Sequence, residues 1–157
     1  MIMNRPIITN IAPSVATLAQ LYFEADFIRE VDEGRLGRAI ENTSRWWCLH
    51  TEEPSDVIAI GRCITDWARY ACVYDVIVRE RDRRKGFGTY LMRQIIVDLV
   101  NHDIDTIHLW PSKGKVAFYE RLGFIALSQE QPVMKLNRDL ATKAMQVDDF
   151  SVIELSR

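Results

Sequence analysis

The stretch from Tyr70 to Trp110 limits what this chain can fold into more than any other. It opens with "YACVYDVIV", rich in β-branched and aromatic residues, which predicts a strand over 70–78. "RERDRRKGFGTYLM" follows, with five cationic side chains between Arg79 and Lys85 and glycines at Gly86 and Gly88. Leu91, Met92, Ile95, Ile96 and Leu99 then recur at helical spacing, and "DTIHLW" reads as another strand. Strand, helix and strand in that order form a βαβ unit, whose two strands run parallel.

The residues before this unit read differently. "RWWCLHT" and "VIAIGRCIT" are strand-like, separated by the polar turn "EEPSD", and "DWAR" connects the second of them tightly to Tyr70. Connections this short cannot cross over a sheet, so the three strands over 45–51, 57–65 and 70–78 form an antiparallel meander. Upstream, "RPIITNI" is a short β-like segment. A helix follows Ser14, its possible cap, with Val15, Leu18, Leu21, Tyr22 and Ala25 on one stripe. "VDEGRLGRAIEN" is a weaker helix, because two glycines lower its propensity. Downstream, "SKGKVAFYERL" predicts a helix stopped by Gly123, and Phe124–Leu127 and Val133–Leu136 read as two final strands. The expected fold class is a mixed α/β (α+β) single domain over 1–136. Residues 137–157 form a C-terminal extension: a tail, an extra strand or a partner arm.

Why should a chain of net charge −2 place so much positive charge before a glycine turn? Attraction of the whole protein to nucleic acid or to an acidic membrane is not expected at that charge. The loop also lacks the interleaved aromatics of single-strand binders. The explanation must therefore be local. The amides at the start of a helix, together with its partial positive charge, form an anion site. Glycine lets the backbone approach phosphate oxygens, and Arg and Lys add charge-assisted hydrogen bonds. Two phosphate patterns are nevertheless missing. GxxxxGKS/T is absent, and Gly86-x-Gly88 lacks the third glycine of a dinucleotide loop.

Val78 followed by Arg83-Arg84-Lys85-Gly86-Phe87-Gly88 resembles the pyrophosphate loop of the GNAT superfamily, the acyl-CoA-dependent N-acetyltransferases. Its pattern Q/R-x-x-G-x-G/A is met by Arg83, Gly86 and Gly88. "AFYERLGF" is similar to that family's second hallmark, a helix carrying a tyrosine and closing on Leu-Gly-Phe. The likeness spans roughly 13–136 and is strongest over 57–124.

The resemblance implies a GNAT fold with a mixed central sheet flanked by helices, splayed between the strand 70–78 and the parallel strand after it. It implies acetyl-CoA as co-substrate, no metal, and transfer of an acetyl group to a primary amine by direct attack in a ternary complex. The backbone from Arg83 through Arg84, Lys85, Gly86, Phe87 and Gly88 to Thr89 would grip the pyrophosphate. Val76, Ile77 and Val78 would pair with the pantetheine arm, and the helix holding Phe118 would cover it. Where many members carry an asparagine that bonds the arm, this chain has Trp110-Pro111-Ser112, and Ser112 either replaces that bond or caps the next helix. A non-catalytic acyl-CoA-binding module is the competing reading.

Tyr119 matches the family's tyrosine. A phenol of pKa about 10 stays protonated at neutral pH and can donate to a departing thiolate. Asp75, an acidic residue inside an apolar strand, is costly there unless paired or functional. It is a candidate base, a candidate ligand for the amine, or a structural ion pair with Arg62. His108, Glu24 and Glu30 are weaker candidates. Trp46, Trp47, Trp67 and Tyr70 could supply an aromatic acceptor pocket or serve as core or dimer contacts. The acceptor is expected to be a small-molecule or peptide amine, with no nucleic acid or membrane partner and a possible homodimer. Cys48, Cys63 and Cys72 lack metal-ligand spacing and read as reduced thiols. "MIMNRPIITN" has no signal-peptide core, so the expected setting is cytoplasmic.

Overall fold

A computed structural model describes residues 6–51 and 56–127. Residues 1–124 form one compact unit and residues 125–157 another. The expected boundary at 136 and the expected strand Val133–Leu136 lie outside the described residues, as does most of the 52–56 turn.

The described elements are β1 (Ile7–Thr9), α1 (Val15–Glu24), α2 (Glu33–Glu41), β2 (Arg45–His50), β3 (Val57–Thr65), β4 (Tyr70–Val78), α3 (Phe87–Asn101), β5 (Thr106–Leu109) and α4 (Val116–Glu120). They build a five-stranded sheet in the order β1-β2-β3-β4-β5. The first four strands are antiparallel and β5 is parallel to β4, so both the meander and the βαβ unit are present. Ser14 caps α1 by accepting the Thr17 amide at 3.1 Å, and Asp32 caps α2 by accepting that of Arg35 at 2.9 Å. Among the described residues no helix is long and apolar enough to cross a membrane.

Two cores lie on opposite faces of the sheet. Leu91, Met92, Ile95 and Leu99 of α3 pack with Trp47, Leu49, Ala71 and Val73 on one face. Leu18, Leu21, Tyr22 and Leu36 from α1 and α2 pack with Trp46, Ile60 and Ile77 on the other. This two-sided burial explains why β3 and β4 read as continuous apolar runs.

The alternation along β4 is broken once. Arg62 faces Tyr74 and Ile60 faces Ile77, so Gly61 alone opposes both Asp75 and Val76. This is a β-bulge, and Asp75 sits in the left-handed region at φ 51°. Ala71 and Val73 pack toward α3 before the bulge, and Val76 and Val78 do so after it. Tyr74 and Asp75 are thereby both turned to the α1 face. Gly61 is fixed by packing: a Cβ there would lie 2.6 Å from Ile95 Cδ1, inside a core that leaves Ile95 no exposed surface. Gly61→Ala is expected to destabilise the fold by about 1–3 kcal/mol. Adding Ile95→Val, which removes that Cδ1, should recover part of the loss. Strictly additive effects in a denaturant double-mutant cycle would contradict this contact.

Two expectations are corrected. The helix expected over 112–122 is only Val116–Glu120, because Gly114 takes φ +78° and turns the chain before helix can form. Phe124–Leu127 is not a strand, since the chain leaves α4 through a glycine turn and these residues have no described strand to pair with.

Candidate active site

The loop between β4 and α3 begins with a single 3-10 turn, Glu80–Asp82. From Arg84 to Thr89, six consecutive amides donate to no described residue, and regular helix bonding starts only with the Tyr90 amide on the Gly86 carbonyl at 3.0 Å. Arg84 at φ 61° and Gly86 at φ 87° create the reversal that exposes them. Gly88 lies where a Cβ would be 3.5 Å from Val78 Cγ2 and 3.9 Å from Phe118 Cζ, so its bare backbone forms the floor of a cradle.

Four of the five cations are used within the chain. Arg79 and Arg81 reach Asp56 at 2.8 and 3.0 Å, and Lys85 reaches Asp82 at 3.0 Å. Arg83 donates to the carbonyls of Val78 at 3.1 Å and Glu24 at 2.9 Å, and its own amide bonds Glu80. The expected set of pyrophosphate amides is therefore shortened at its start: Arg83 is consumed by the 3-10 turn and by bracing, and the free amides begin at Arg84. The Arg84 side chain is exposed and pairs with no described residue. Most of the basic cluster thus fixes the loop's shape.

Beside this cradle, β4 is only half paired. Its ladder with β5 runs from Tyr70–Thr106 to Val73–Leu109 and stops, leaving Tyr74 to Val78 without a strand on that side. The splay expected from the resemblance is present. Of the expected main-chain partners, Val76 and Ile77 lie along the open edge, whereas the Val78 carbonyl is taken by Arg83.

The gap holds a cleft of about 110 Å³. Val76, Leu109 and Tyr119 line it and pack with the α3-side core. Phe27, Tyr74 and Asp75 line it from the α1 side, with Trp110 edge-on to Tyr74 at 5.6 Å between ring centres. The cleft is therefore lined by residues from both faces of the sheet.

The ion pair expected from the strand register is present. Asp75 Oδ2 accepts from Arg62 Nε at 2.5 Å and from the Tyr22 hydroxyl. Arg62 also donates to Thr43 Oγ1 at 3.1 Å and lies over the Tyr74 ring, 5.5 Å from its centre. Burial, and then the adjacent carboxylate, push the Tyr22 phenol well above its usual value. Burial alone would lower the Arg62 guanidinium, but its bond to Asp75 and that group's charge outweigh it, and the net shift is upward. Asp75 Oδ1 accepts from no described residue, and Asp75 is among the residues that line the cleft.

Tyr119 is positioned by the end of α4. The Phe124 amide bonds the Tyr119 carbonyl at 3.1 Å and the Gly123 amide bonds that of Glu120 at 3.0 Å, with Gly123 at φ 96°. This is a Schellman turn, and the Phe124 ring packs on Tyr119 as such turns favour. Leu-Gly-Phe is thus a device for aiming the tyrosine. Its hydroxyl meets no described hydrogen-bond partner, and burial raises the phenol's pKa. Phe118 packs edge-on against it at 4.9 Å. Ser112 does not cap α4, which starts four residues later without a side-chain cap; it lines the cleft instead.

The remaining candidates fall elsewhere. Glu24 accepts the Glu80 amide at 2.8 Å, braces the loop, and is not among the described residues that line the cleft. Glu30 and His108 are exposed and do not line the cleft. Trp46 and Trp47 are core, and Trp67 stacks on His102, away from the cleft. The aromatic lining comes instead from Phe27 and Tyr74, which the sequence did not single out, and from Trp110, which it marked only at the position of the family's asparagine. The one available signal was the odd Tyr-Asp pair inside a β-branched run, where the bulge lies. The three cysteines are buried and free, and burial raises the thiols of Cys48 and Cys63 to about 12.

The acetyltransferase (GNAT) family pattern matches residues 12–124. An uncharacterized N-acetyltransferase, ycf52, of Gracilaria tenuistipitata var. liui is 36% identical over 89 residues, covering 55% of this chain and 49% of that protein. A histone acetyltransferase of Glycine max is 34% identical over 101 residues, covering 59% and 44%. This chain thus spans about half the length or less of these curated relatives. Among solved structures, a protein of unknown function from meticillin-resistant Staphylococcus aureus superposes with a TM-score of 0.73 at 16% identity, covering 85% of this chain and 99% of that one. A GNAT-family acetyltransferase from Streptococcus pneumoniae gives 0.67 at 20% identity, covering 85% and 98%. The chain belongs to the acetyltransferase (GNAT) family.

Proposed function

We propose that this protein is an N-acetyltransferase that moves an acetyl group from acetyl-CoA to a primary amine by direct attack within a ternary complex. One observation carries the reading: six unpartnered amides at the head of α3 lie beside the unpaired half of β4. The first amides of a helix have no partner within it, and here the preceding loop adds further amides that point to no described acceptor, so a ligand with phosphate oxygens can satisfy several at once. The residues present therefore fit the group. Amides 84–89 and the Arg84 guanidinium hold the diphosphate. The open edge at Val76 and Ile77 receives the amide-bearing arm, Phe118 covers its carbons, and Ser112 supplies a hydroxyl.

Acetyl-CoA supplies the acetyl group as a thioester, so that a C–N bond forms as the C–S bond breaks, the amine nitrogen loses one proton and the sulfur gains one. The chain supplies the two proton positions from opposite faces of the sheet. Asp75, held at Oδ2 by Arg62 and Tyr22, offers Oδ1 to the amine's proton, directly or through a water. Tyr119, kept neutral by burial, offers its hydroxyl to the departing sulfur. Both side chains line the same cleft.

Thermal melting with acetyl-CoA, CoA and NAD side by side tests the cofactor. A ligand at 100 times its Kd stabilises by about 2.7 kcal/mol. Stabilisation by both CoA species and none by NAD is the expected result. Equal or greater stabilisation by NAD overturns the assignment. Amine-dependent thiol release tests the chemistry, and its failure across a broad amine panel despite CoA binding would leave a non-catalytic acyl-CoA-binding module.

A further inference from the structure

Resting on the acetyl-transfer reading, we infer that the acceptor is a primary amine on a short arm joined to a flat, uncharged ring. Three aromatic side chains from three separate segments line the cleft: Phe27 after α1, Tyr74 on the bulge, and Trp110 just past β5. Phe27 is 46% exposed and Trp110 53% exposed. Scattered apolar side chains on a surface need no explanation, but rings gathered around one opening mark a binding surface.

Their placement is not accidental to the strand. The bulge puts Tyr74 and Asp75 on the same face, and the Tyr74 ring is fixed between the Arg62 guanidinium and the edge of Trp110. The Phe27 ring is held by Tyr22, 5.8 Å between centres, the same tyrosine that bonds Asp75. The ring wall and the carboxylate are thus linked through shared contacts with Tyr22 and Arg62.

The charges around the mouth narrow the class further. Asp75 is the one charged residue among the described lining residues, and Arg62 balances it. No described lining residue is a lysine or arginine, so a phosphate or carboxylate on the acceptor finds no charge-assisted donor there. A polyamine brings several ammonium groups; the rings can hold one of them, but the described lining has no second carboxylate, and Arg62, over the Tyr74 ring, repels the rest. An aryl-bearing amine meets both requirements: its ring stacks on Trp110 and Phe27 while its nitrogen reaches Asp75 Oδ1.

The test uses the full chain with phenethylamine, spermidine and glucosamine 6-phosphate, reading acetyl-CoA-dependent thiol release together with calorimetric titration of each amine. Phenethylamine is expected to exceed the other two in kcat/KM by about 10-fold or more. Trp110→Ala and Phe27→Ala should each raise its KM about 10-fold, with the acetyl-CoA KM held within about twofold. Preferred use of spermidine or glucosamine 6-phosphate, or an unchanged phenethylamine KM in both variants, overturns the inference and leaves acetyl transfer standing. If acetyl-CoA fails to bind at all, the acetyl-transfer reading falls. Calorimetry of phenethylamine on the chain without coenzyme still decides the ring wall: binding weakened by Trp110→Ala supports it, and no binding overturns it. Since Trp110 is largely exposed, its variants should fold, and Trp110→Phe should restore most of the affinity.

Discussion

Gly88→Val is expected to weaken acetyl-CoA binding by about 100-fold or more, beyond what its effect on fold stability accounts for. The reasoning is steric. A Cβ on residue 88 would already stand 3.5 Å from Val78 and 3.9 Å from Phe118, ordinary contact distances that alanine can accept. Valine's two γ-carbons must reach about one bond length further, crowding Val78 and Phe118 beside the amides that a ligand's phosphate has to approach. Losing two charge-assisted hydrogen bonds from amide to phosphate costs about 3–6 kcal/mol, which exceeds a 100-fold change. Gly86 makes a useful contrast. A Cβ there meets nothing within 4 Å, but φ +87° strains any other residue, so Gly86→Ala should act on stability, by about 1–2 kcal/mol. Isothermal titration with acetyl-CoA and a thermal melt separate the two effects. If Gly88→Val binds acetyl-CoA like the parent protein, the amide cradle is not the cofactor site.

How much of this was legible in the residues depends on how local each feature is. The βαβ unit follows from the change of period between Val78 and Leu91, since a strand pattern and a helix pattern cannot exchange places. The glycine loop is equally local, because positive φ and bare backbone are written in single residues. Arg83 shows where local reading stops. Its type fits a phosphate pattern, yet its partners are the Val78 and Glu24 carbonyls, and Glu24 lies far off in sequence on another helix. The same holds for Ser112. It stands at a plausible cap position, but Gly114 delays the helix, and the hydroxyl is left to the cleft.

The acceptor side was the least legible, for a related reason. Tyr74 and Trp110 sit in stretches where strand-forming aromatics are ordinary, and only the bulge opposite Gly61 turns Tyr74 and Asp75 to one face. Gly61 gave no signal of its own as a bulge partner, because its requirement comes from Ile95 on the helix above. The bulge is also where the chain tolerates a non-glycine residue at φ 51°. Strain of this kind is retained where surrounding contacts over-determine it, here the bonds of Asp75 to Arg62 and Tyr22.

Tyr119→Phe is expected to lower kcat by about 10- to 10³-fold while leaving acetyl-CoA affinity unchanged. The substitution removes one oxygen that meets no described hydrogen-bond partner, and it keeps the ring contacts to Phe118 and Phe124. Fold stability should therefore stay within about 0.5 kcal/mol of the parent, which isolates chemistry from folding. The phenol must carry its proton to serve the departing sulfur. Burial raises its pKa above the ordinary value of about 10, so the protonated form persists throughout neutral and mildly alkaline solution. A kcat that falls between pH 7 and 9 must then come from another group, and the parent and the phenylalanine variant should show the same profile there. Single-turnover thiol release and acetyl-CoA titration, measured on both proteins across that range, decide the matter. Equal turnover in the two removes Tyr119 from the chemistry and reduces it to packing, whereas lost turnover with unchanged affinity places its hydroxyl at the breaking bond.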